Sequence, residues 1–148
     1  MRAPRRGPSR ATAGERLASA GFAIACLAVL VAAASLKADA AGHGTHTQLG
    51  LPPCGWAMSF GKPCPTCGMT TAVTHAVQGR LLESLETQPF GLVVAVLSAV
   101  GFWVTLHTAL TGSRLVHWAL GALRPRVLWA LAALASLAWA YKWVTWRG

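Results

Sequence analysis

The chain has 148 residues, of which 54% are hydrophobic and 11% charged, against about 25% charged in an ordinary soluble domain. Lys and Arg outnumber Asp and Glu by 13 to 4. No basic helix face with interleaved polar residues accompanies that excess, so nucleic acid is not expected as a partner. The charges lie between long uncharged stretches, which points to an integral membrane protein with the lipid bilayer as its first partner.

Residues 1–16 are rich in Arg, Pro and Ala and lack periodicity. They read as a basic, disordered cytoplasmic tail carrying Arg2, Arg5, Arg6, Arg10 and Arg16. Leu17–Leu36 runs without a charge for about the length that crosses the hydrocarbon. This is transmembrane helix 1, spanning 17–36. Ala38-Asp39-Ala40 resembles a small-x-small cleavage pattern, so a cleavable signal peptide competes with an uncleaved signal anchor. The apolar run is long for a signal-peptide core, and the anchor is the preferred reading.

Residues 37–88 form the one sizeable polar stretch, an exoplasmic loop holding Cys54, Cys64 and Cys67. Residues 89–113 form transmembrane helix 2, within an acid- and base-free run over Thr87–Ser113 whose dense apolar part is Phe90–Leu110. Residues 114–126 carry Arg114, Arg124 and Arg126 and no acid, a basic cytoplasmic loop that lies along the interface or extends the second span. Residues 127–146 form transmembrane helix 3, with Lys142 expected to snorkel to the surface and Trp139, Tyr141, Trp143 and Trp146 as an interfacial belt. The expected fold is therefore all-α and multi-pass, with two to three transmembrane helices plus a short amphipathic helix after a Cys-rich turn. The basic tail and the 114–126 loop place those segments inside and the cysteine loop outside. With three spans these assignments agree.

Chemistry, if any, lies in the segment from Cys54 to Phe90. Cys64-Pro65-Thr66-Cys67-Gly68 is a CPxCG turn, whose spacing can direct two sulfurs to one point. That serves a metal knuckle, a reversible dithiol or a short-loop disulfide. Gly68 allows a tight turn. Met69, Ala72, Val73, Ala76 and Val77 then recur at helical spacing, with Thr70, Thr71, Thr74, His75 and Gln78 opposite and Gly79 as a stop. Such a helix would lie on the membrane, apolar face down, with its threonines toward water. A zinc ion needs more ligands than Cys54, Cys64 and Cys67, and His43 or His46 of the HxxH pair could complete the set. His75 is too far along the helix to serve readily.

These residues resemble a family of bacterial membrane proteins of unknown function, DUF2752. Cys54, Gly61, Pro63, Cys64, Pro65, Cys67, Gly68, Met69, Thr70, Ala72, Gly79 and Pro89 match its pattern over about 40 residues. Thr71, Arg80 and Gln88 depart from the family's usual Arg, Asp and Asn. The missing Arg weakens any catalytic role carried over, since it would acidify paired thiols. The resemblance implies a small multi-pass protein of a bacterial inner membrane and supplies no activity.

Three functions then compete. In the preferred one the protein is non-enzymatic, and the cysteine turn forms a rigid lip for assembly or for another membrane protein. In the second it binds a metal through the loop Cys and His residues. In the third it is a thiol-redox protein using Cys64 and Cys67.

Overall fold

The computed structural model describes residues 10–146. Among them the secondary structure is entirely helical: α1 (Ala13–Ser35), a 3-10 turn (Thr45–Leu49), α2 (Gly55–Phe60), α3 (Met69–Val77), α4 (Leu81–Thr87), α5 (Pro89–Thr111), α6 (Leu115–Ala122) and α7 (Pro125–Val144). Helices α1, α5 and α7 are each long and apolar enough to cross a membrane. In lipid this is the expected solution, because helices satisfy their backbone groups internally.

Helix α1 begins at Ala13, inside the segment expected to be disordered. The cause is a capping box. Thr12 Oγ1 accepts from the Glu15 backbone N–H, and Glu15 reaches back to the Thr12 N–H at 2.7 Å. Arg16 is thereby helical, and its guanidinium donates to the carbonyls of Ala109 and Leu110 at 2.9 and 3.1 Å. It satisfies carbonyls that the end of α5 would otherwise leave open. Glu15 pairs with His117 of α6 at 3.0 Å, and the Ala11 N–H donates to the Gly112 carbonyl. One end of the molecule is tied together in this way. Arg2, Arg5 and Arg6 lie outside the described residues.

Helices α1 and α5 pack along their length through small side chains. Ser19, Ala23, Cys26 and Ala33 are the buried residues of α1, and Gly91, Ala95, Thr105 and Thr108 those of α5. Small residues let membrane helices approach closely without a hydrophobic driving force between them. Leu17, Ile24, Trp103 and Leu110 face outward, where lipid would solvate them. Cys26, expected as an ordinary small apolar residue, sits in this seam, against Gly101.

At the opposite end, residues 37–88 are a folded cap rather than an open loop. Helix α3 is not the exposed surface helix that was expected. It is wedged between α1, α4 and α5, with Val73 packed against Ala33 and Ala95. Thr71 and Thr74, expected to face water, are fully buried. The physical reason is that its polar face meets the rest of the cap: Thr71 Oγ1 shares a hydrogen bond with Thr45 Oγ1 at 2.8 Å, and Thr45 accepts from the Asp39 N–H. Gln78 Nε2 donates to the Leu36 carbonyl at 2.9 Å, and Ser84 Oγ donates to the Ala72 carbonyl at 2.7 Å. The helix ends in a Schellman arrangement around Gly79 (φ +80°), with Gly79 N–H bonded to Ala76 and Arg80 N–H to His75.

Helix α7 touches the remainder mainly at its cap end, where Ala138 and Lys142 are its buried residues. Lys142 does not snorkel. It is 5% exposed, and its ammonium donates to the carbonyls of Gly42 and Thr87, each at 3.1 Å. The two part-buried carbonyls in reach give the ammonium partners that the interface would otherwise supply as water.

Candidate functional site

The cysteine segment forms one wall of a cavity of about 730 Å³. Its lining brings together Cys54, Cys64 and Cys67 with His43 and His46, and with the thioethers Met58 and Met69. Helix α2 projects over this cavity. Cys54 is its N-cap, and Gly61, left-handed at φ +60°, ends it. Pro63 is fully buried, and its carbonyl accepts from the indole Nε1 of Trp139 at 3.1 Å. Lys62 sits over the Trp143 ring at 5.4 Å, a cation–π contact. The aromatic end of α7 therefore holds the chain between α2 and the CPxCG turn in place.

The turn itself closes through the Cys67 N–H to the Cys64 carbonyl at 3.0 Å. Pro65 is exposed at its apex and Thr70 half-buried in the first turn of α3, while Pro89 opens α5 at its first position. Gly68 has φ +81°, and a Cβ there would stand 2.7 Å from the Gly42 carbonyl oxygen and 3.2 Å from Lys142 Nζ. Both the left-handed backbone and the close approach require glycine.

The sulfurs do not pair as the CxxC spacing suggests. Cys64 Sγ lies 3.5 Å from Cys54 Sγ, ten residues earlier, and 3.4 Å from the Thr66 hydroxyl. All four cysteines are free thiols. Cys67 is turned into the protein and buried. Burial pushes the Cys67 thiol up to about 11, the Cys64 charge adds to this, and the ammonium of Lys142 opposes it. Burial also raises Cys64, but hydrogen bonds from the Thr66 hydroxyl and the Cys54 thiol, aided by backbone N–H groups, outweigh it and leave that thiol below its ordinary range. Cys64 is thus the thiol most ready to ionise of these two, and Cys67 the least.

The histidines are individually engaged. His43 Nδ1 faces the Ala41 carbonyl at 3.0 Å, and its ring lies against Trp146 with centroids 4.5 Å apart. His46 Nε2 faces the Pro52 carbonyl at 3.2 Å. A carbonyl partner fixes the proton on that nitrogen and leaves the lone pair on the other. His75 is taken up elsewhere, with Nδ1 3.0 Å from Glu83 Oε2 though off the hydrogen-bond direction, and Glu83 also binds Arg80 at 3.0 Å. Among the described residues, no three His, Cys, Asp or Glu side chains are grouped closely enough to hold a metal ion. A closed four-ligand zinc site is not assembled by this arrangement.

Two participants in this site escaped the sequence reading. Lys142 carries no motif, and only its position four residues after Ala138 on the cap-facing side of α7 hints at burial. Thr45 is an unremarkable loop threonine until Thr71 meets it. The architecture is that of an all-helical protein with three membrane-length helices, closed at one end by a cysteine-bearing cap. Residues 54–103, from Cys54 into the middle of α5, match the family model described as "Protein of unknown function (DUF2752)". No curated protein and no solved structure matches the chain.

Proposed function

We propose that the chain is a non-enzymatic protein of the bacterial inner membrane that presents a rigid lip to another membrane protein at the outer face. The observation that carries this reading is the state of α2. Trp56, Met58 and Phe60 are 47%, 73% and 67% exposed, on a helix with no buried residue. Three bulky apolar side chains on one short exposed helix are costly to leave in water. They are also held rigidly, because Pro63 is anchored by Trp139 and Lys62 by Trp143. Those two tryptophans form the aromatic end of α7, so the lip stands at the level where a bilayer meets water. An apolar surface at that level suits a partner that is itself embedded there. Basic residues Arg10, Arg16, Arg114 and Arg124 at the other end of the helices favour that end as the cytoplasmic one.

The test is site-specific photocrosslinking in intact cells. A photoreactive residue at Met58 should yield one protein adduct of defined mass, and the adduct should disappear when Trp56 and Phe60 are both changed to Ala. A photoreactive residue at Leu134, on the outward side of α7, should not yield it. Adducts with lipid alone from position 58 would overturn the reading.

A specific observation also favours a thiol-redox reading, with a changed pair. The sulfurs in reach of each other are Cys54 and Cys64. A Cys54–Cys64 bond found by peptide mapping, exchanging with the surroundings while Cys67 stays reduced, would support it.

A further inference from the structure

The cavity beside α2 has an unusual donor set. No Asp or Glu contributes to its wall. Calcium and magnesium, which need carboxylate and carbonyl oxygen, find little there. What the wall does offer is sulfur: the thiols of Cys54 and Cys64, 3.5 Å apart, the buried thiol of Cys67, and two thioethers, with His43 and His46 also in the lining. Soft thiolate and thioether donors select soft ions, Cu(I) foremost among those with low coordination demand. A Zn(II) structural site wants four ligands, and no third Cys, His, Asp or Glu joins the pair among the described residues.

We infer that Cys54 and Cys64, facing the cavity they share with Met58 and Met69, form a binding site for Cu(I). The metal takes two thiolates, and two protons leave for solvent, so the occupied site carries one negative charge. With metal–sulfur bonds of about 2.3 Å, sulfurs 3.5 Å apart subtend roughly 100° at the ion. That angle is bent, and a bent pair leaves a side open for a third donor. A thioether from Met58 or Met69 is the donor the wall provides, and methionine's flexible chain suits it to reach an ion from an irregular wall. The site shares Met58 with the lip proposed above, but its two thiolates take no part in that contact, so loss of copper binding in Cys64→Ser and loss of the partner adduct in Trp56→Ala/Phe60→Ala are separate outcomes.

The experiment uses the full chain, reduced and anaerobic in nanodiscs, titrated with Cu(I) against a chromogenic Cu(I) chelator. One Cu(I) per chain should be withdrawn from the chelator. Cys54→Ser and Cys64→Ser should each weaken binding at least a hundredfold, whereas Cys67→Ser should leave it within about threefold. The Met58→Leu/Met69→Leu double variant should weaken it several-fold. X-ray absorption on the unmodified, loaded protein needs no variant and should show sulfur scatterers around copper. Failure to compete with the chelator, equal binding by Cys54→Ser, oxygen and nitrogen scatterers alone, or Zn(II) displacing Cu(I) stoichiometrically would each overturn the inference.

Discussion

Lys142, near the end of α7, donates a hydrogen bond to the carbonyl of Thr87, the last residue of α4, at 3.1 Å. The same ammonium reaches Gly42, so one side chain joins three segments far apart in sequence. Replacing it with Met leaves two carbonyls without this donor. These carbonyls are part-buried, so the loss lies toward the lower end of the roughly 1–3 kcal/mol that an unpaired buried polar group costs, and Lys142→Met should melt measurably below the parent in detergent. Identical melts would show that the ammonium contributes nothing to the cap.

Two glycines of α5 should respond oppositely to the same change. A Cβ on Gly91 would lie 2.5 Å from the Ala72 Cβ and 3.3 Å from the Met69 carbonyl oxygen. Neither neighbour is a flexible chain end, so α3 and α5 must separate. Overpacking of this kind costs about 1–3 kcal/mol. A Cβ on Gly101 meets Phe22 and Cys26 at 3.4 and 3.5 Å, which is close to ordinary contact. Gly91→Ala should lose stability measurably and Gly101→Ala should not. Comparable melts for the two variants would place the α3–α5 contact elsewhere.

The thiols should label in a fixed order. At pH 8 a group with a pKa of about 11 is ionised in roughly one molecule per thousand. Cys67 is also buried, whereas Cys64 is only partly so and ionises below its ordinary range. Maleimide treatment followed by peptide mass spectrometry should find Cys64 modified well before Cys67. Early modification of Cys67 would contradict the inward placement of its sulfur.

His75 makes the cap sensitive to acid. Burial lowers its pKa and Arg80 adds to that, with Glu83 opposing. The unfolded chain therefore binds the proton more readily than the folded one, and stability rises with pH in that range. Melting temperature should fall as pH drops through about 6.5, the unfolded value, and the fall should continue to the lower folded value. Glu15 and His117 pair at the far end, so the His75→Gln variant isolates the effect. An unchanged pH profile in that variant would assign the sensitivity to another group.

Much of the fold was readable because membrane helices are written in long uncharged runs. Of the two to three membrane-length helices expected, three are present, each within a few residues of an uncharged run. The start of α1 is written in the capping box of Thr12 and Glu15, a signal of two residues set within a stretch whose Arg and Pro composition favours disorder. The amphipathic pattern of α3 was read correctly as a helix, but periodicity says only that two faces differ. It does not say that Thr71 meets Thr45 instead of water. Likewise the CxxC spacing brought Cys64 and Cys67 close along the chain. Which sulfur faces which depends on α2 folding back, and that rests on Pro63 and Trp139, 76 residues apart. Contacts of that range leave no local periodicity to detect.

The polar bonds that fasten α7 have a consequence for biosynthesis. Trp139, Tyr141 and Lys142 reach Pro63, Glu86 and the carbonyls of Gly42 and Thr87, all near the end of a helix that is made after α1 and α5. Helices α1 and α5 can associate through their small-residue seam beforehand, but the cap is latched only once α7 has been inserted. Helix α7 thus latches a cap whose other segments all precede it in the chain. A chain released before Trp139 presents an unlatched cap, with the cysteines of a nascent molecule open to the surrounding compartment.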